Sequence, residues 1–212
     1  MKIVVINYGL SNLLSVKRAF EHCGSEVVIT GKPEEVHDAD KIVLPGVGAF
    51  KDGMQGLKYL GLDEAIKAKA AEGTPILGIC LGMQMLFDQS EENGFHEGLG
   101  LIPGSVMRIP EESVKRDKQC VPHIGWNILK PGEENEEFES DLLGGLNVED
   151  EVYFVHSYEA KPEDSEHVLA YTNYGGRDIC AVAGYNNVFG CQFHPEKSGK
   201  VGLEIINNFI RL

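Results

Sequence analysis

The chain has 212 residues, of which 42% are hydrophobic, enough to build one sizeable α/β domain with an ordinary core. Its 33 acidic residues outnumber its 19 lysines and arginines, which gives a formal net charge of -14 at pH 7. This charge argues against nucleic acid and anionic membranes as partners, because both require a basic surface. The sequence also lacks any stretch that approaches the ~20 apolar residues of a membrane span.

The five cysteines are scattered along the chain and contain no C-x-x-C pair. Their odd number and spacing argue against a disulfide framework and against a zinc site. Residues 1–6 resemble a first buried strand rather than a signal peptide, since the apolar run is short and Asn7-Tyr8-Gly9 interrupts it. We therefore expect a reduced, cytoplasmic protein that needs no metal and no organic cofactor.

The first half of the chain alternates apolar runs with helical patterns. Strands are predicted over residues 2–6, 27–30 and 41–44, with an amphipathic helix after the first strand that Ser11 would cap. This alternation predicts parallel βαβ units in a doubly wound, mostly parallel sheet with helices on both faces. Active sites in such sheets lie at the carboxyl ends of the strands.

The loop Pro45-Gly46-Val47-Gly48 follows the third strand at that edge. Its two glycines let backbone amides face a ligand, which suits an oxyanion donor from Val47 or Gly48. A phosphate site is not expected, because neither G-K-[ST] nor GxGxxG is present. On spacing alone, an ordinary strand-to-helix loop is an equally good interpretation.

Residues 74–84, TPILGICLGMQ, combine a short apolar strand with the pentapeptide Gly-Ile-Cys-Leu-Gly and a helical pattern up to Phe87. Strand, Gly-x-Cys-x-Gly and helix form the cysteine version of the nucleophile elbow. The turn would place Cys80 at a helix N-terminus, where the dipole and free N–H groups favour a thiolate, and the Leu81 N–H would serve as an oxyanion donor. The alternative is a buried core cysteine.

A base for such a nucleophile is offered by Phe193-His194-Pro195-Glu196. Because proline favours an extended conformation for the residue before it, His194 and Glu196 project to the same side. The carboxylate can then orient one ring nitrogen and leave the other free to take a proton. Alone, the tripeptide is compatible with a surface turn; together with the elbow it predicts a Cys80-His194-Glu196 triad.

The second half of the chain has a different pattern. A helix is predicted over residues 63–71, and after residue 104 come six short antiparallel strands, the last two joined by a turn at Asn186-Asn187. The acidic segment 133–141 is expected to be a solvated loop, and the residues from Gly199 onward to form an amphipathic closing helix. His156 is expected to be a hydrogen-bonded structural residue with no catalytic role. We find no linker and predict a single domain over 1–212.

The chain resembles the class I (triad) glutamine amidotransferases and, more narrowly, the glutaminase subunits of imidazole glycerol phosphate synthase, an enzyme of histidine biosynthesis. GICLG and HPE are shared by many amidotransferases, whereas LPGVGAF, IGWN and YFVHSY together point to this subfamily. The matching segments span nearly the whole chain in the right order: INYGLSNLLSV (6–16), LPGVGAF (44–50), GICLGMQMLF (78–87), SEE (90–92), IGWN (124–127), YFVHSY (153–158) and FHPEKS (193–198).

The resemblance implies further site residues. Glutamine would be bound by the Gly-rich loop and by polar groups after the elbow, with Glu92 meeting the α-ammonium group: Gly46, Gly48, Gln84, Glu92, Ser157 and Tyr158. A second set would lie on the face that meets the synthase partner, a (β/α)₈ cyclase subunit: Asn12, Trp126, Tyr153 and Lys197. The two chains would form a heterodimer in which ammonia from glutamine passes to the cyclase.

Three alternatives stay open on sequence alone. The chain could serve another pathway as the amidotransferase subunit for anthranilate, aminodeoxychorismate or pyridoxal phosphate synthesis. It could be a freestanding cysteine hydrolase of γ-glutamyl compounds, which would turn over without a partner. It could also be a regulatory subunit that kept the fold, although the joint presence of Cys80, His194 and Glu196 argues against this.

Overall fold

The computed structural model describes residues 1–10, 12–132 and 137–212. The helices are α1 Leu13–His22, α2 Pro33–His37, α3 Phe50–Leu60, α4 Leu62–Ala71, α5 Leu81–Met85 and α6 Gly199–Arg211. The strands are β1 Ile3–Ile6, β2 Val27–Thr30, β3 Lys41–Gly46, β4 Ile76–Cys80, β5 Phe87–Ser90, β6 His96–Glu97, β7 Ile102–Arg108, β8 His123–Ile128, β9 Glu151–His156, β10 Tyr158–Pro162, β11 Val168–Tyr174, β12 Arg177–Tyr185 and β13 Val188–Cys191.

A seven-stranded sheet forms the centre, in the order β11-β12-β13-β4-β3-β1-β2. The five strands from β13 to β2 are parallel, and β12 and β11 extend the sheet antiparallel at one edge. The predicted mostly parallel sheet with added C-terminal antiparallel strands is therefore confirmed. The turn at Asn186-Asn187 is also confirmed, because Tyr185 pairs with Val188 across it.

Alternate residues of the central strands point to opposite faces, as the period of two requires. On one face, Ile3 and Val5 pack with the apolar sides of α1 and α6. On the other face, Val4 and Ile6 pack with α2, α3, α4 and α5. Both faces of the sheet are thus covered by helices, which is why its strands are continuous apolar runs rather than alternating ones.

Two smaller sheets stand beside the large one, a four-stranded sheet β10-β7-β5-β6 and the hairpin β8-β9. They correct two predictions. The helix after Cys80 ends at Met85 rather than Phe87, and residues 87–90 form a strand beside β7. The expected single strand 151–158 is broken at Ser157, because β9 pairs with β8 while β10 pairs with β7.

Two expectations lie wholly or partly outside the described residues, namely the N-cap at Ser11 and the loop structure of residues 133–136. Among the helices that the structure describes, none is long and apolar enough to cross a membrane. All five cysteines are free.

Candidate active site

The elbow is the most constrained turn of the site. Cys80 ends β4 with φ of 55° and ψ of -110°, a conformation that costs energy for a residue with a side chain. Gly82, two residues after Cys80, makes the turn possible, since a Cβ there would lie 1.7 Å from the Leu44 carbonyl oxygen. The predicted nucleophile position is therefore built by close backbone packing between β3 and the start of α5.

His194 and Glu196 lie beside this elbow because β13 pairs with β4 in parallel and ends three residues before His194. His194 Nδ1 is 2.8 Å from Glu196 Oε1, and the two side chains are 2% and 1% exposed. Nε2 of His194 is buried, with no hydrogen-bond partner of regular geometry in the described part of the chain. It is the ring nitrogen left for Cys80, in the arrangement that the sequence predicted.

The electrostatic state of His194 follows from its neighbours. Burial lowers its pKa, but the interactions with Cys80 and with Glu196 outweigh burial and raise the pKa to about 9. As an imidazolium the ring therefore holds its Nε2 proton, next to Cys80, more strongly than an isolated imidazole would. Such an imidazolium is the group that stabilises a thiolate and that donates a proton to a leaving amine.

The remaining contacts of Cys80 involve groups that sequence reasoning missed. Cys80 Sγ lies 3.8 Å from the Val155 carbonyl oxygen and 3.9 Å from Nε2 of Gln192. Gln192 is fully buried and its Oε1 accepts from Gln84 Nε2 at 3.0 Å. Its position two residues before His194, on the same side of an extended segment, is the signal that could have found it.

A cavity of about 320 Å³ opens at the elbow. Most of the predicted substrate and oxyanion residues line it together with the predicted nucleophile and base: Val47, Gly48, Cys80, Leu81, Gln84, Glu92, Pro122, Val155, His156, Ser157, Tyr158 and His194. A larger concavity of about 640 Å³ has an acidic lining with neither cysteine nor histidine among its described residues. We place the site at the smaller one, where the reactive groups converge.

Gly46 lies behind this cavity rather than in its lining. It pairs with Cys80 across β3 and β4, and a Cβ there would come within 3.0 Å of the Gly82 nitrogen, the Leu81 Cβ and the Tyr8 hydroxyl. The position therefore requires glycine for close packing. This geometry supports the elbow and does not by itself give Gly46 a contact with substrate.

The two predicted oxyanion donors differ in state. Leu81 opens α5, so its N–H has no partner within the helix. The Val47 N–H instead donates to the Leu10 carbonyl oxygen at 3.2 Å. In this conformation the Val47 N–H is directed at Leu10 and not at an oxyanion, whereas Gly48, the alternative second donor, lines the cavity.

Gln84 and Glu92 are both held in place by the protein. Gln84 Nε2 donates to the Tyr158 carbonyl oxygen at 3.1 Å. Glu92 Oε2 accepts from the Phe50 N–H at 2.7 Å, where it satisfies the first turn of α3. Glu92 also lines the cavity.

The four predicted partner-face residues surround the 194–198 segment and the β8-β9 hairpin. Trp126 is 54% exposed and pairs with Tyr153, with ring centroids 6.0 Å apart. Tyr153 binds both ends of the segment, through its carbonyl to the His194 N–H and through its N–H to Ser198 Oγ. Lys197 is exposed in that segment. Asn12 precedes α1, and α1 packs against the 194–198 segment.

Within residues 1–10, 12–132 and 137–212 there is no group of three or more His, Cys, Asp and Glu side chains that could hold a metal ion. What the site offers is a thiol, a base with its orienting carboxylate, and backbone amides. This set is sufficient for acyl transfer through a covalent intermediate.

The family model of the class-I glutamine amidotransferases matches residues 4–212, and the chain belongs to this family. Solved structures agree on the fold: a structure described as glutamine amidotransferase has a TM-score of 0.71 at 17% identity, covering 94% of each chain. The structure of PurLQS from Thermotoga maritima has a TM-score of 0.74 at 20% identity, covering 99% of this chain and 97% of its own.

Curated relatives with much higher identity share one description. A protein of Legionella pneumophila (strain Lens), imidazole glycerol phosphate synthase subunit HisH 1, is 49% identical over 210 residues, 99% of both chains. The HisH subunits of Geobacillus thermodenitrificans and Geobacter metallireducens are each 48% identical over 208 residues, covering 98% of this chain and 94% and 96% of their own.

Proposed function

We propose that the chain is the glutaminase subunit of an imidazole glycerol phosphate synthase. It hydrolyses L-glutamine to glutamate and ammonia, and the ammonia is used by a cyclase subunit in histidine biosynthesis. The observation that carries this proposal is the buried His194–Glu196 pair beside Cys80 at the carboxyl end of β4. The 48–49% identity to HisH subunits over nearly the whole chain supports the pathway.

The reaction begins with transfer of the Cys80 thiol proton to His194 Nε2. The thiolate attacks the side-chain amide carbon of glutamine, and the electron pair moves onto the oxygen of a tetrahedral intermediate. The C–N bond then breaks as His194 gives its proton to the leaving ammonia, which leaves a γ-glutamyl thioester on Cys80. Water, deprotonated by His194, attacks this thioester, and glutamate leaves as the proton returns to sulfur.

The other site residues support this sequence. Glu196 keeps Nδ1 of His194 protonated, so that Nε2 is the nitrogen that exchanges the proton. The Leu81 N–H, with that of Val47 or Gly48 after rotation of the loop, would stabilise the oxyanion. Gln84, Glu92 and the Ser157–Tyr158 segment would hold the amino acid end of glutamine.

The proposal extends to the assembly. Residues 1–212 act as one amidotransferase domain, which is supported by two apolar clusters that each combine residues from early and late in the chain. The exposed face around Trp126, Tyr153 and Lys197 docks on a (β/α)₈ cyclase in a heterodimer. Five free cysteines support a reducing, cytoplasmic location.

The test combines covalent labelling with product analysis. A glutamine analogue that carries an electrophile should label one cysteine, Cys80, and stop glutamine hydrolysis in the complex with the cyclase subunit. The Cys80→Ala complex should still form imidazole glycerol phosphate from added ammonia. Labelling at Cys23, Cys120, Cys180 or Cys191 contradicts the site. A labelled Cys80 without imidazole glycerol phosphate formation contradicts the pathway and favours a related amidotransferase or a freestanding hydrolase.

A further inference from the structure

A chain of hydrogen bonds that the triad does not use runs from β8 to the wall of the cavity. Nδ1 of His156 lies 2.8 Å from the Tyr158 carbonyl oxygen, and its Nε2 lies 3.0 Å from Nδ1 of His123. Nε2 of His123 in turn lies 3.3 Å from Nδ2 of Asn127. Both histidines are buried, at 3% and 5% exposure for His123 and His156.

The two ends of this chain determine the direction of every bond in it. At one end, Asn127 Oδ1 accepts from the Ile128 N–H and its Nδ2 donates to the Asn173 carbonyl, both at 2.9 Å, so the amide orientation is settled. Nδ2 is therefore the donor toward His123 Nε2. At the other end, the Tyr158 carbonyl can only accept, so Nδ1 of His156 carries a hydrogen. Two neutral rings satisfy all contacts only if both are protonated at Nδ1.

The surroundings keep both rings neutral and fixed in plane. His123 is stacked between Phe154 and Tyr174, with ring centroids 4.8 and 4.0 Å away. Burial lowers the pKa of His123 to about 4 and that of His156 to about 3. A proton added to either ring would set two N–H groups against each other, and the other tautomer would set a lone pair against the Tyr158 carbonyl.

The chain ends at an atom that the active site also uses. The Tyr158 carbonyl oxygen accepts from His156 on one side and from Gln84 on the other. Gln84 binds Gln192, whose Nε2 reaches Cys80 Sγ. The orientation of the peptides at Ser157 and Tyr158, which line the cavity, is therefore held from both sides.

We propose that His123 and His156 are positioning residues: their tautomer-locked pair holds the Tyr158 carbonyl and thereby fixes the Ser157–Tyr158 wall against glutamine. This inference rests on the proposed function of the cavity as the glutamine site. His156 borders the cavity, but both of its ring nitrogens are occupied, so it cannot act as a second base. Asn127 and His156, in the motifs IGWN and YFVHSY, thereby acquire a role in the site.

Two substitutions of His156 separate its hydrogen bond to the Tyr158 carbonyl from its hydrogen bond to His123. His156→Asn retains a donor near the Nδ1 position and should keep the Tyr158 contact. His156→Gln places its amide near the Nε2 position and should lose that contact while still meeting His123. In the complex with the cyclase subunit, we expect His156→Gln to raise KM for glutamine roughly tenfold with a smaller change in kcat, the effect of one lost hydrogen bond. His156→Asn should stay within about threefold of wild type.

Thermal unfolding of both variants distinguishes positioning from a merely structural role. A structural role would lower the unfolding temperature of the two variants without separating their KM values, and that result would overturn the inference. The proposed function fails separately, since it predicts glutamine hydrolysis and Cys80 labelling in the wild-type complex. If the wild type is active and labelled while the two variants share one KM, only the positioning role is lost.

The tautomers can be observed in the unaltered chain. In protein labelled with ¹⁵N at histidine, His123 and His156 should both show a protonated Nδ1 and an unprotonated Nε2 at pH 7. Their shifts should not change on covalent labelling of Cys80, whereas those of His194 should. A protonated Nε2 on His156, or a charged ring at pH 7, would refute the locked pair whatever the kinetics of the variants.

Discussion

Two histidine sites lie within one cavity, and the protein gives them opposite properties. His194 has its pKa raised to about 9, whereas His156 has its pKa lowered to about 3. Both rings are buried. Burial alone would lower both pKa values, so the difference comes from the partners of each ring: Cys80 and the Glu196 carboxylate outweigh burial at His194, whereas the neutral Tyr158 carbonyl does not outweigh it at His156.

This comparison shows what makes a histidine into a base in this fold. His194 has one nitrogen on a carboxylate and the other free beside Cys80, so it can accept and return a proton. His156 has its nitrogens on Tyr158 and His123, so any proton transfer breaks a bond that has no replacement. A buried histidine is thus reactive here only where one nitrogen is left unpartnered next to the nucleophile.

The largest expected effect separates the two rings directly. His194→Asn should reduce kcat for glutamine hydrolysis in the complex by about 10⁴-fold or more, because it removes the proton acceptor of the nucleophile. His156→Asn, the matched change at the other ring, should cost less than tenfold. The measurement is steady-state hydrolysis with ammonia-dependent synthesis as the control for folding. Comparable losses at both positions would remove the distinction between them.

A smaller effect is expected when the carboxylate, rather than the ring, is changed. Glu196→Gln keeps the shape of the side chain but removes the charge that raises the pKa of His194, so that this pKa should fall. Activity should drop by about 10²–10⁴-fold and remain measurable above Cys80→Ala. An NMR titration of His194 follows the pKa. If Glu196→Gln were as inactive as Cys80→Ala while His194→Ala stayed active, the roles would be wrongly assigned.

A third expectation concerns the oxyanion loop. The base is already positioned in this structure, whereas the Val47 donor is not. His194 and Cys80 are in place, but the Val47 N–H is bound to the Leu10 carbonyl. The isolated chain should therefore be a poor glutaminase, slower than the complex with bound acceptor nucleotide by about 10²–10³-fold, the cost of one oxyanion donor. Activity should rise stepwise from the isolated chain to the complex to the nucleotide-bound complex. Full turnover by the isolated chain would refute control by the partner.

The smallest expected effect is on the free energy of unfolding. The His156 contribution is lost at low pH and the His194 contribution at high pH. His156 has its folded pKa below the ordinary value of 6.5, so its contribution to the free energy of unfolding is complete above pH 6.5 and is lost as pH falls toward about 3. His194, with its pKa raised, contributes fully below pH 6.5 and loses this contribution as pH rises through about 9. In His156→Asn, the slope of unfolding free energy against pH between 6 and 4 should decrease by up to about 1.4 kcal/mol per pH unit. Denaturant titrations at several pH values measure it, and an unchanged slope would contradict a neutral, buried His156.

Some of the architecture could be read from local pattern. The alternation of apolar strands with helical patterns in the first half of the chain predicted parallel strands, because strands joined by helical crossovers run in the same direction. Gly78-Ile-Cys-Leu-Gly82 predicted the elbow, because a sharp turn with close backbone contact requires glycine. The spacing of His194 and Glu196 predicted that the two side chains meet, because residues two apart in an extended segment share a side. Their catalytic roles stay predictions until the kinetics are measured.

Other elements depended on contacts between distant segments. Residues 87–90 read as the end of a helix and a polar turn, yet they form a strand because β7, later in the chain, pairs with them. The break at Ser157 follows from β9 and β10 pairing with different strands. The partners of Gln192 could not be predicted for the same reason, since Gln84 and Cys80 lie about a hundred residues earlier.

The sequence by itself therefore determined the class of fold, the nucleophile elbow and the base with its carboxylate, since each depends on spacing over a few residues. Only the tertiary structure decided which atoms bind the two ring nitrogens of His156, where the Val47 N–H points, and that His123 and His156 share one chain of hydrogen bonds. These properties depend on which buried polar atoms face each other across strands far apart in sequence. A local pattern does not contain that pairing.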